Sequence, residues 1–173
     1  VVEISSTVNP FLADVTLRIP YNPEEFAAVG FEELAAVLFV QEAGTDTWVQ
    51  VEILSIDTVN KVVVAVVRQL SLFRVGYLIP DASNSTIQAV PNSVPVGDNM
   101  LVSVSLRTST GAPIGAGHRV TITRGSDGAT PAVTFQGDGS YAAQLTAPQR
   151  TGTDTFSATA DGTPLTRTAQ ATY

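Results

Sequence analysis

At 173 residues with 44% apolar content, the chain can bury a real core in one domain or in two small ones. Sixteen acidic against nine basic residues give a formal charge of −7, which argues against nucleic acid and anionic membrane surfaces, because both need clustered Lys and Arg to displace counterions. Cysteine is absent and histidine occurs once, at His118, so disulfides, thiolate zinc sites and cysteine nucleophiles are excluded and a metal site would rest on carboxylates. No apolar run approaches the ~20 residues needed to span a bilayer. The chain starts Val1-Val2, without a methionine or a signal-peptide pattern, which reads as a processed or excised piece.

Residues 1–80 carry ten acidic and four basic side chains, and residues 81–173 carry six and five. The second half contains neither Glu nor Lys and is crowded with Thr, Ser and Gly. Between the halves, Pro80-Asp81-Ala82-Ser83-Asn84-Ser85 has the small, polar composition of a linker. The expected organisation is therefore a domain over 1–80, a linker over 81–85 and a second domain over 86–173.

In chain order, Val15, Leu17 and Ile19 alternate with polar residues and make a strand that ends at Pro20. Pro23–Leu34 has helical composition, but Gly30 restricts it to at most two short helical turns. Val37-Leu38-Phe39-Val40 is β-branched and aromatic and favours a strand. It pairs across the turn containing Gly44 with the alternating run Trp48–Ile53 as a hairpin. After the turn Asp57–Asn60, Lys61–Val67 has strand length. In the second half, Val102/Val104/Leu106, Val120/Ile122, Tyr141/Ala143/Leu145 and Phe156/Ala158/Ala160 alternate with polar neighbours. Turn residues separate them at Gly111-Ala112-Pro113, Gly125–Gly128, Gly137-Asp138-Gly139 and Asp161-Gly162. Short alternating runs at this spacing predict an antiparallel sandwich of about seven strands between Thr86 and Tyr173. The fold class is all-β, two tandem antiparallel β-sandwich domains.

The residue series Thr110–Gly115, Gly137–Tyr141, Gly152–Ala158 and Asp161-Gly162 resembles the bacterial immunoglobulin-like domains of invasin- and intimin-type surface proteins. The likeness spans the second half. It implies an immunoglobulin-like sandwich in an extracellular stalk or spacer, with no chemistry of its own. Val15–Tyr21, Trp48, Asp57 and the strand from Val62 to Val67 running on to Ser71 are similar to the β domain of ankyrins and netrin receptors, also met in bacterial secreted proteins. That match covers roughly 12–79 and implies that upstream strands are missing, or are supplied by another chain. In some members of that family a His-Phe-Ser series on the last strand cleaves its own backbone. The matching positions are Gln69-Leu70-Ser71, and glutamine cannot act as the base, so self-cleavage between Leu70 and Ser71 is kept only as an alternative.

No catalytic, cofactor-binding or metal-binding residue is assigned. His118 has no evident partner and reads as structural. No Gly-x-Ser-x-Gly elbow is present, and serine catalysis needs a base in reach. The doublets Glu24/Glu25 and Glu32/Glu33 diverge on a helix or a strand and read as a solvated face. Asp127, Asp138 and Asp161 could supply oxygen ligands to calcium, but turn aspartates bond their own backbone. Asn84-Ser85-Thr86 is a formal glycosylation acceptor. Trp48, Tyr21, Tyr77, Tyr141 and Tyr173 are expected in packing rather than on a sugar-stacking platform.

The expected function is a non-enzymatic extracellular module of a bacterial surface protein, fibre or filament. Its partners would be neighbouring domains or copies of itself, with neither nucleic acid nor membrane insertion. The alternative is a module that binds carbohydrate or a host protein through loops at one end of a sandwich; an exposed aromatic pair around Trp48 would favour it. For assembly, Val1–Val8 or the 62–79 segment could pair with an open edge of a neighbouring subunit.

Overall fold

The computed structural model describes residues 2–3, 14–69 and 71–173. The chain divides into two compact units, Val1–Leu78 and Ile79–Tyr173.

The first unit contains β1 (Val2–Glu3), β2 (Val15–Pro20), α1 (Pro23–Ala28), β3 (Ala36–Gln41), β4 (Trp48–Val51), β5 (Ile53–Asp57), β6 (Val62–Val67) and β7 (Leu72–Tyr77). The helical segment resolves as expected into two short pieces, α1 and a 3-10 turn over Glu33–Ala35. Asn22 caps α1 by accepting from the Glu24 amide, Pro23 occupies the first turn where no donor is lost, and Gly30 at φ +79° ends the helical path in a conformation that other residues resist. Antiparallel pairing gives one sheet ordered β1-β7-β3-β4 and another ordered β2-β6-β5. Leu17 and Ile19 from β2, Leu38 from β3, Val63 and Ala65 from β6, Phe73 from β7 and Phe26 from α1 form one buried core. Alternation does this directly, since the intervening Thr16 and Arg18 are exposed.

One expectation needs correction here. β6 ends at Val67 rather than running on to Ser71, because the exposed Arg68 and Gln69 break the apolar alternation and the next apolar run, β7, belongs to the other sheet. The 62–79 segment is paired on both sides over β6, whereas Arg74–Tyr77 of β7 pair with β3 alone among the described strands. β6 lies between β2 and β5, and Leu72 and Phe73 pair with Glu3 and Val2 of the same chain. Of the Val1–Val8 segment, only Val2 and Glu3 fall among the described residues, where they form the outer strand of their sheet, paired on one side with β7.

The second unit contains β8 (Thr86–Val90), β9 (Asn99–Ser105), β10 (Val120–Arg124), β11 (Thr134–Phe135), β12 (Ser140–Thr146), β13 (Thr153–Ala160), β14 (Thr163–Pro164) and β15 (Ala169–Thr172). β11 and β14 are two-residue strands. One sheet runs β11-β12-β9-β8; in the other, β13 pairs with β10 on one side and with β14 and β15 on the other. The inward series Val102, Val104, Ile122, Phe156 and Ala171 is fully buried. Asp81–Ser85, the segment with linker composition, is tied into this unit. The Asp81 amide donates to Arg107 O at 2.7 Å, its carboxylate accepts from the Ser83 and Asn84 amides, and buried Ser85 accepts from the Arg107 amide. Among the described residues, no buried side-chain nitrogen or oxygen lacks a hydrogen-bond partner, as a well-formed interior requires.

Candidate functional site

Three of the side-chain constellations among the described residues bear on function. The first is an open cleft of about 520 Å³ on the first unit, between α1, the 3-10 turn and the β5–β6 turn. Pro23, Ala27, Phe31 and Leu34 line its apolar floor, and Glu24 and Glu32 stand on its rim. α1 buries Phe26 alone, and the 3-10 turn buries Ala35 and leaves Leu34 48% exposed. Glu33, which also lines the cleft, is not the solvated carboxylate expected of the doublet. It accepts from Lys61 Nζ at 2.7 and 2.9 Å and from the Tyr21 hydroxyl. The Lys61 ammonium, and then the Tyr21 hydroxyl, hold its carboxyl below the usual range. Burial, followed by the hydrogen bond to Glu33, pushes the Tyr21 phenol up.

The second is an aromatic face on the sheet containing β3, β4 and β7. Trp48 stands opposite Gln41, and Phe39 opposite Arg74. The Arg74 guanidinium lies 4.4 Å from the Trp48 ring centroid and 5.3 Å from that of Phe39, a cation–π arrangement. Trp48 and Phe39 are both half-buried rather than an exposed pair, and the Arg74 guanidinium lies against each ring.

The third joins loops of the second unit. His118 Nδ1 lies 2.8 Å from Asp161 Oδ2, Asp161 Oδ1 accepts from the Arg119 amide, and the Asp161 amide donates to Arg119 O. The Tyr141 hydroxyl donates to Gly115 O and accepts from the His118 amide. His118 therefore has a partner, 43 residues further along, that its sequence neighbours do not reveal. Its side chain is 1% exposed and that of Asp161 10%, so the arrangement clasps two loops.

The structure does not bring the three turn aspartates together, and no cluster of metal-ligating side chains occurs among the described residues. Asp127 binds Arg124 and the Ala129 amide. Asp138 binds the Ser140 amide and hydroxyl. The Asn84 side-chain amide donates to Thr108 O and Ser109 O, which occupies the nitrogen a glycan would need. Ser71 Oγ donates to Gln41 O at 2.9 Å; Leu70, the other half of the cleavage alternative, lies outside the described residues.

The aspartates set an acid limit. The Arg124 guanidinium beside Asp127 holds that carboxyl down to about 2, while side-chain hydrogen bonds from Asn60 and the Ser140 hydroxyl depress Asp57 and Asp138. A carboxyl depressed in the folded state contributes stability above its ordinary value near ~4, and that stability is lost as pH falls through the folded value. The melting temperature is therefore expected to fall between about pH 4 and about pH 2. Asp127→Asn should be less stable at pH 7 and show a shallower acid fall; equal melting temperatures at pH 7 and pH 2.5 would contradict this.

A family model described as Invasin, domain 3 matches residues 81–173. Among solved structures, the Yersinia pseudotuberculosis adhesin InvE is 33% identical, with 54% of this chain and 27% of that one covered and a TM-score of 0.48. InvD of the same organism is 31% identical over 53% of this chain and 28% of its own, with a TM-score of 0.47. FdeC, described as an Escherichia coli adhesin, is 20% identical over 98% of this chain and 54% of its own, with a TM-score of 0.51, and speaks to the fold alone. No curated protein matches the chain. The chain thus spans only part of the length of the structures it resembles.

Proposed function

The chain belongs to the family described as Invasin, domain 3, a bacterial surface adhesion module with an immunoglobulin-like sandwich, and from that membership we propose that it is a spacer in the extracellular arm of an adhesin. The single observation that carries this reading is the family match over the whole second unit. The chemistry agrees with it. The one histidine is locked against Asp161, the Ser71 hydroxyl is spent on a backbone carbonyl, and the turn carboxylates are bonded within their own turns. On this reading the chain is not an enzyme, and its partners are neighbouring modules.

The test is surface display. With the chain placed between an outer-membrane anchor and a terminal epitope, a large antibody should reach the epitope more readily than when the chain is omitted. Unchanged access, or degradation of the displayed chain, would contradict the spacer role.

A second reading, carbohydrate or host-protein binding, has one observation in its favour, the Trp48–Arg74–Phe39 face. Trp48 is the sole tryptophan, so its fluorescence reports directly. A saturable change on titration with a glycan, abolished in Arg74→Ala, would establish the carbohydrate form of this reading; silence across a glycan panel would remove that form.

A further inference from the structure

We infer that the cleft on the first unit docks a basic protein segment that inserts an apolar side chain between flanking Lys or Arg residues. The cleft lies outside the residues matched by the family, so this step goes beyond the spacer reading and does not depend on it. At about 520 Å³ its volume falls within the ~300–1,000 Å³ of ligand clefts, but such clefts enclose most of a small molecule's surface, whereas this one is open along a side. A chain segment laid across the surface needs no enclosure.

Two features fix the chemistry of that segment. The floor holds Leu34 at 48% exposure, and Val59, next to the cleft-lining Thr58, is 86% exposed. Apolar surface left in water at a concave site is a place for an apolar side chain to be buried. The rim supplies the sign of charge. Among the described residues Glu24 and Glu32 make no ion pair, while the nearby cations are spent, Lys61 on Glu33 and Arg18 on Asp57. Lys61 is the only lysine in the chain, and residues 1–80 carry a net excess of six acidic side chains. An approaching Lys or Arg meets two uncompensated carboxylates, whereas an acidic segment is repelled.

The probe is a capped octapeptide alternating Lys and Leu, titrated into the isotope-labelled 173-residue chain and followed by amide chemical shifts. Two controls are used, one peptide with Ser replacing Leu and one with Glu replacing Lys. The expected result is saturable shifts confined to residues 23–34 and 58–59 with the Lys/Leu peptide alone. Affinity should weaken several-fold when salt rises from 0.05 to about 0.5 M. Leu34→Ser should weaken it by about tenfold, and the double variant Glu24→Gln, Glu32→Gln should weaken it and flatten the salt dependence. Both substitutions fall on exposed positions, and an unchanged amide spectrum elsewhere verifies the fold of each variant. Shifts scattered over both units, an equal response to either control peptide, or undiminished binding by Leu34→Ser would overturn the assignment. None of these outcomes bears on the surface-display experiment.

Discussion

Replacing Phe156 by alanine is expected to lower the melting temperature of the second unit by tens of degrees while leaving the first unit folded. Phe156 is 0% exposed and sits on β13, the strand that pairs with β10, β14 and β15. Truncating a buried phenylalanine costs about 3–5 kcal/mol, combining lost transfer energy with the cavity left behind. In a domain of this size each 1 kcal/mol is worth about 4–8 °C, and a small domain holds only a modest reserve. Trp48, the sole tryptophan, lies in the first unit. Its fluorescence transition should stay in place while the circular dichroism signal of the second unit moves. Phe73→Ala, at a first-unit position 1% exposed, should reverse the pattern. Transitions that shift together in both variants would show that the two units do not melt separately.

The second large effect is expected at Asp161. Alanine there removes the carboxylate that faces both the buried Nδ1 of His118 and the exposed Arg119 amide, and taking the acceptor from one buried ring nitrogen costs about 1–3 kcal/mol. Asp161 also holds φ +49°, a region that Asp and Asn tolerate better than alanine. Asp161→Asn keeps the backbone conformation and an oxygen for Arg119, so it should lose about 1 kcal/mol, roughly the worth of one ordinary hydrogen bond. Paired denaturant titrations of the two variants decide it. Equal losses would mean that neither acceptor matters beyond the turn itself.

What could be read from the sequence follows from what alternation encodes. A period of two says which residues of a strand share a face, and the structure places Leu17 with Ile19, and Val102 with Val104, inward as that rule requires. Turn chemistry was equally local. Asp57 and Asp138 bond the amides two residues on, and Gly30 ends α1. Pairing between residues distant in sequence was not legible, because no periodicity says which loop will lie against which. His118 finds Asp161 across 43 residues, Lys61 finds Glu33 across 28, and Arg74 lies over Trp48 from a different strand. The same gap hid the cleft. Glu32 and Glu33 read as one doublet, yet the fold gives Glu33 a lysine and leaves Glu32 at the rim. Proximity of that kind exists only once β6 and the β5–β6 turn have packed beside α1.

Pulling a single molecule by its ends examines most directly the claim that the chain consists of two separately folded β units. Unfolding a unit releases about 3.3–3.6 Å per residue. The chain should therefore give two discrete force peaks, with about 25 nm released for Val1–Leu78 and about 30 nm for Ile79–Tyr173. A smooth extension without peaks, or one release of the whole length, would contradict the account.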